Sequence, residues 1–157
     1  MKTVYAVAAG KPRSEITKNV ALGYAVILVV MVILQLFSFE KFIPLMQDYR
    51  LPGGHGTATL VACVIVFCEV FALPFLLRMR VSPLMRWFSL ACGIIVPLLW
   101  TWLAVTVLMA ENTLTNSGML GTKLAVPAGA AQLILSLILF ALAAYSTWGL
   151  WPTLRKK

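Results

Sequence analysis

Four long stretches with almost no charge constrain this chain more than any other feature of its sequence. They cover residues 20–37, 57–77, 87–110 and 126–150. A helix needs roughly 20 apolar residues to cross the hydrocarbon core of a bilayer, whereas a barrel strand needs roughly 10. Because the backbone must satisfy its own hydrogen bonds in hydrocarbon, runs of this length favour helices. The sequence therefore predicts an all-α integral membrane four-helix bundle, built as a single membrane domain over residues 1–157.

The composition excludes an ordinary soluble protein. Hydrophobic residues make up 61% of the chain and charged residues only 11%, whereas a typical soluble domain is about half apolar and about a quarter charged. The net charge of +8 would suit a nucleic-acid partner, but the position of the basic residues indicates another cause. We therefore expect no nucleic-acid partner. We also expect no cleaved signal peptide, because the first run is long and "FSFEKF" follows it instead of a small-residue cleavage site.

The basic residues predict the orientation of the chain. Ten of the 13 Lys and Arg residues flank the runs on one side, at both termini and between the second and third runs. The other three are Lys41, Arg50 and Lys123. Cytoplasmic loops carry the excess of positive charge in membrane proteins, so both termini are predicted to lie in the cytoplasm. Membrane lipids are the expected partners, and anionic lipid suits the basic ends.

Glu69 is the only charged side chain within a run, and it has two interpretations. An intramembrane acid usually faces a bundle interior or a cavity, so it could form a proton or quinone site. Alternatively, it is a protonated acid that holds a neighbouring helix by a hydrogen bond. Candidate partners at similar depth are Thr101 and Ser136.

Spacing assigns inner faces to three of the helices, because small residues allow close helix packing. The first face is Ala58, Ala62, Glu69, Ala72 and Leu76; the second is Gly93, Pro97 and Thr101; the third is Ala128, Gln132, Ser136, Phe140 and Ala144.

Other reactive side chains form no recognisable site. Cys63 and Cys68 lie five residues apart on one helix and cannot bridge without unwinding it, and Cys92 has no partner at metal-ligand spacing. His55 stands alone in a glycine-rich loop, without further ligands for a metal. The sequence therefore predicts no catalytic residue, no metal site and no covalently bound cofactor; quinone or lipid is the candidate ligand.

The loop after the first run has the pattern of a short amphipathic helix. Phe39, Phe42, Ile43 and Met46 recur at helical spacing, and such a helix could lie in the membrane interface. We expect Pro44 to break it, because proline removes a backbone donor. Lys41 and Arg50 are placed to meet lipid phosphates or quinone headgroups.

The order of these features resembles the DoxX-like superfamily of four-helix membrane proteins, and most of all its methylamine-utilisation MauE branch. The resemblance rests on Lys41 and Phe42, on Tyr49, Leu51 and Pro52, and on the central Glu69 of the second run. It covers most of residues 20–150. It implies a four-helix fold in a bacterial inner (cytoplasmic) membrane and an association with thiol or quinone redox chemistry.

The loop before the last run departs from the MauE pattern. Where that branch has Cys-Gly-Cys-Phe-Gly, this chain has Ser117, Gly118, Met119, Leu120 and Gly121. Thiol exchange needs a thiolate, so this loop cannot perform it. We expect the loop to reverse the chain outside the membrane and to contact a partner.

Two functions follow. The first is an accessory or structural subunit of a larger bacterial membrane complex, respiratory or otherwise redox-linked, with other membrane subunits as partners and no catalysis of its own. The alternative is a quinone-linked redox subunit, similar to a thiosulfate:quinone oxidoreductase, that uses Glu69 with an electron-donating partner.

Overall fold

The computed structural model describes residues 12–110 and 114–151, which form five α-helices. Their bounds are α1 Glu15–Leu36, α2 Phe39–Asp48, α3 Gly54–Leu76, α4 Pro83–Met109 and α5 Ala130–Leu150. All except α2 are long and apolar enough to cross a membrane. The prediction of an all-α membrane bundle with a short amphipathic segment after the first helix is confirmed.

The four long helices pack in a closed ring. α3 contacts α1 and α4, and α5 contacts α4 and α1. The short helix α2 packs mainly on α3. We call the end that holds α2 and the loop 114–129 the capped end, and the end that holds the α3–α4 turn the basic end. The basic end carries Arg13, Lys18, Arg78, Arg80 and Arg86 among the described residues.

The four long helices each begin three to five residues away from the predicted start of their run, and α1 and α5 differ in opposite directions. α1 begins at Glu15, before the apolar run, because the Ser14 hydroxyl caps it by accepting a hydrogen bond from the Thr17 amide at 3.1 Å. α5 begins at Ala130, four residues later than predicted. Gly129 has a φ of 95° and Ala128 donates its amide to the Leu114 carbonyl at 3.1 Å, so the start of that run belongs to the loop.

The amphipathic prediction for α2 is correct, but the predicted break at Pro44 is wrong. The helix continues through Pro44 to Asp48, and Phe42 and Met46 are fully buried. The side chain of Pro44 is exposed. A single proline removes one amide donor, and packing of the apolar face holds the helix together across that gap.

The prediction of inner faces from helical spacing is correct for α3 and partly wrong for α5. All five predicted residues of α3 are buried, but on α5 Phe140 and Ala144 are exposed. A helix turns 100° per residue, so strict steps of four drift by about 40° each and leave the buried side. The true inner face of α5 mixes steps of three and four. It comprises Gln132, Ser136, Leu139, Ala143, Ser146 and Gly149.

Ser89 of α4 supports α3 beside its internal proline. Pro74 has no amide hydrogen to offer to its own helix. The Ser89 hydroxyl accepts a hydrogen bond from the Phe75 amide at 2.9 Å and donates to the Ala72 carbonyl at 3.1 Å. Neighbouring helices commonly satisfy backbone groups near prolines in membrane helices. This contact therefore joins α3 to α4 near the basic end.

Ser89→Ala should lower the stability of the purified protein by about 1–3 kcal/mol, because it removes the buried acceptor of the Phe75 amide. Thermal unfolding in detergent micelles measures this. The matched control is Ser146→Ala, since the buried Ser146 hydroxyl has no hydrogen-bond partner among the described residues. We expect that control to be close to wild type. Equal losses in the two variants would show that the Ser89 bonds contribute nothing specific.

Candidate functional site

Glu69 lies at the centre of a polar cluster inside the bundle, which we call the Glu69 centre. Its side chain is fully buried. One carboxyl oxygen, Oε1, accepts hydrogen bonds from the Gln35 Nε2 of α1 at 3.2 Å and from the Trp100 Nε1 of α4 at 3.4 Å. The acid is therefore held by two different helices, and both donors are themselves fully buried.

The direction of the helices explains why these three side chains meet. Side chains on a helix incline toward its N-terminus. α3 runs from the capped end to the basic end, whereas α1 and α4 run the opposite way. Glu69 therefore inclines toward the capped end, while Gln35 and Trp100 incline toward it from that end. A carboxyl group well inside α3 thus reaches an amide in the last turn of α1.

Gln35 also connects the Glu69 centre to the loop before α5. The same Nε2 atom donates to the Met119 carbonyl oxygen at 3.1 Å. Ser117 and Met119 are both buried, so the segment of residues 117–121 packs into the capped end of the bundle. The sequence-based description of this segment as a turn that reverses the chain outside the membrane is incomplete, because it also closes the bundle above the acid.

The two glycines of that segment allow its close approach. Gly118 and Gly121 have φ values of 77° and 67°, a region that residues with a side chain rarely adopt. A Cβ atom on Gly121 would lie 2.5 Å from the Leu34 carbonyl oxygen, and one on Gly118 would lie 3.0 Å from the Phe42 ring. Both the left-handed backbone conformation and the short distance to neighbouring atoms therefore favour glycine at these two positions.

A second group of hydrogen bonds holds the same segment from α2 and α5. The Tyr49 hydroxyl donates toward the Ser117 carbonyl at 2.9 Å and toward Gln132 Oε1 at 3.0 Å. The Gln132 Nε2 donates to the Trp100 carbonyl at 3.3 Å. Burial raises the pKa of Tyr49, and its hydrogen bond to Gln132 acts in the opposite direction. The tyrosine therefore stays protonated and keeps its proton for donation.

The other predicted site residues have separate environments. The Thr101 and Ser136 hydroxyls bond to each other at 3.0 Å, and they join α4 to α5 rather than bonding to Glu69.

Among the positions of the outer-loop motif, Phe42 and Leu51 are buried, whereas Lys41 and Pro52 are exposed. Leu120 is half-buried beside the segment. Of the positions that carry the family resemblance, Tyr49 and Phe42 thus contact the loop above Glu69.

Sequence reasoning did not identify Gln35 or Trp100 as partners of Glu69. Gln35 is the single amide side chain in the last turn of an apolar helix. A lone polar side chain at such a position indicates a buried hydrogen bond, and this was the signal that could have identified it. Sequence reasoning also missed Tyr24, whose hydroxyl donates to the Gly93 carbonyl at 2.7 Å. Cys68 and Cys92, treated separately in the sequence, are buried neighbours across α3 and α4.

Two oxygen atoms at the Glu69 centre have no hydrogen-bond partner among the described residues. They are Glu69 Oε2 and Gln35 Oε1, both buried. Each of these oxygens can still accept a hydrogen bond. Within the described part of the chain, no group of three His, Cys, Asp or Glu residues could hold a metal ion.

Comparison with known proteins identifies no relative. No family model matches the chain, and no curated protein or solved structure matches it significantly.

Gly121→Ala should destabilise the capped end, because the new methyl group would meet the Leu34 carbonyl in a strained backbone. A left-handed residue with a side chain costs about 1–2 kcal/mol before any collision is counted. Hydrogen exchange of residues 114–129 should rise in the variant. Gly23→Ala is the control, since nothing lies within 4 Å of its Cβ position. An unchanged exchange rate in Gly121→Ala would contradict the packing of this loop.

Glu69→Gln and Glu69→Ala should differ in stability. The amide keeps an acceptor oxygen for Gln35 and Trp100, so we expect a loss of stability within about 1 kcal/mol. The alanine leaves both buried donors unpaired and opens a cavity, which should cost about 3 kcal/mol or more. Thermal unfolding in detergent micelles distinguishes them. If Glu69→Gln were as damaging as Glu69→Ala, the negative charge rather than the hydrogen bonds would be the stabilising feature.

Proposed function

We propose that this chain is an accessory or structural subunit of a larger bacterial membrane complex with a respiratory or other redox role, and that it has no catalysis of its own. The observation that carries this proposal is the enclosure of Glu69. The most unusual group in the membrane part of the chain accepts hydrogen bonds from two helices, and one of those donors also holds the capping loop.

An enclosed acid of this kind suits a structural role. Hydrogen bonds between membrane helices fix which faces meet, while each contributes only about 0.6–2 kcal/mol. The Glu69 centre joins α1, α3 and α4 to the loop, so it fixes the shape of the capped end. A small bundle of defined shape offers other membrane subunits a constant surface on which to assemble.

The proposal includes the family and the orientation. We assign the chain to the neighbourhood of the DoxX-like superfamily and its MauE branch, because of the residues that carry the resemblance. The chain then lies in a bacterial inner membrane with both termini on the cytoplasmic side. The distribution of charge supports that orientation. Five described basic residues lie at the basic end and three at the capped end, and cytoplasmic ends carry the excess.

One observation favours the alternative of a quinone-linked redox subunit. Glu69 Oε2 and Gln35 Oε1 are buried acceptors with no partner among the described residues. The hydroxyl of a reduced quinone could donate to either oxygen. Electrons would then have to come from a partner protein, and the loop that replaces the family dithiol could not deliver them, because it has no thiol.

Purification in mild detergent from the native membrane tests the first proposal. We expect the chain to copurify with other membrane proteins at a fixed ratio, measured by quantitative mass spectrometry. Glu69→Gln should preserve that ratio, and Glu69→Ala should lower it because it loosens the capped end. A chain that purifies alone from gentle extraction would contradict the subunit proposal.

Titration of the purified chain with a short-chain quinone analogue separates the two functions. Under the subunit proposal the binding is weak and equal in wild type and Glu69→Gln. Saturable binding that Glu69→Gln abolishes, with the thermal stability of the variant unchanged, would support the quinone-linked function instead. The Thr101→Val variant is the matched control, because Thr101 bonds to Ser136 and not to Glu69.

A further inference from the structure

A separate cavity opens at the capped end, outside the Glu69 centre. Its volume is about 740 Å³, and it lies between the end of α1, the first turn of α2 and the loop before α5. Lys41 and Lys123 line it from two different segments, and both residues are exposed. Two lysines therefore border the cavity at the level where the membrane-spanning part of α1 ends.

The backbone at the start of α2 adds to the positive character of this cavity. Ser38 precedes the helix but does not cap it with its side chain. Its hydroxyl instead donates to the Leu34 carbonyl at 3.3 Å and bonds to the Thr122 hydroxyl at 2.8 Å. The first amides of a helix carry a partial positive charge that favours anions. Glu40 also lines the cavity, so the lysines leave one net positive charge.

An apolar lane leads from the cavity along α1. Its members are all exposed and recur at helical spacing: Val26, Val30, Ile33 and Phe37. Phe37 is 85% exposed and also lines the cavity. At 1.5 Å per residue the lane is about 16 Å long, and one leaflet of the hydrocarbon core is about 15 Å thick. The lane thus has the length of one acyl chain.

We propose that this cavity binds the phosphodiester headgroup of a phospholipid, with the phosphate between Lys41 and Lys123 and an acyl chain along the lane of α1. The combination of cations at the interface with an apolar lane of one leaflet's length suits an amphiphile rather than a free anion. Lysine side chains near helix ends also reach the headgroup level readily. This inference is independent of the proposed function.

Photocrosslinking tests the site in the full-length protein. The probe is phosphatidylglycerol with a photoreactive acyl chain, added to the delipidated protein in detergent, and peptide mass spectrometry locates the crosslinks. We expect crosslinks within residues 26–37. The double variant Lys41→Gln/Lys123→Gln should lower their yield roughly tenfold or more at limiting lipid, because it removes both cations that attract the anionic headgroup.

The control removes the same charge elsewhere. Arg80→Gln/Lys18→Gln has the same net charge as the test variant, and both residues lie at the basic end, away from the cavity, so its crosslinks within residues 26–37 should match wild type. Diacylglycerol with the same reactive chain should crosslink at most a tenth as well. Equal crosslinking by diacylglycerol, or an undiminished yield in the test variant, would overturn the proposal. Either result would mean that the lane contacts lipid like any membrane-facing surface, without a headgroup site. Competition by millimolar inorganic phosphate would also overturn the proposal, because the cavity would then bind a free anion.

Discussion

Hydrocarbon offers no hydrogen bonds, so each polar group inside this bundle depends on the protein for its partner. Gln35 meets that constraint for two distant parts of the chain at once. Its amide nitrogen donates to the Glu69 carboxyl and to the Met119 carbonyl. The acid in α3 and the loop before α5 therefore share one donor in α1. The shape of the capped end depends on this shared contact together with the hydrogen bond from Tyr49 to the same segment.

Other polar contacts repeat this arrangement at different depths. Tyr24 joins α1 to α4, Ser89 joins α4 to α3, and Thr101 joins α4 to α5. Each pair lies on a small-residue face or beside a proline, where helices approach closely. In lipid the apolar side chains cannot select a partner by hydrophobicity alone, because the tails are equally apolar. The sparse hydrogen bonds therefore specify which helix faces meet, while close packing supplies most of the contact area.

The Glu69 centre and the lysine-lined cavity occupy the same end of the bundle but differ in character. The first is sealed from solvent by the segment of residues 117–121, and the second opens at the membrane surface. Thr122 and Lys123 follow directly after that segment, so one loop covers the acid and also forms a wall of the cavity. The bundle therefore combines a fixed polar interior with a lipid-facing exterior.

The sequence by itself determined the four membrane helices, the amphipathic α2 and the buried face of α3, because apolar runs and helical periodicity are local properties. It could also single out Glu69, since a charge within an apolar run is costly. It could not identify the partners of that acid. Gln35 and Trp100 lie 34 and 31 residues away from it, and Met119 lies 84 residues from Gln35. Only the tertiary structure decided those contacts, because they depend on opposite helix directions and on a loop whose glycines leave room for the Leu34 backbone.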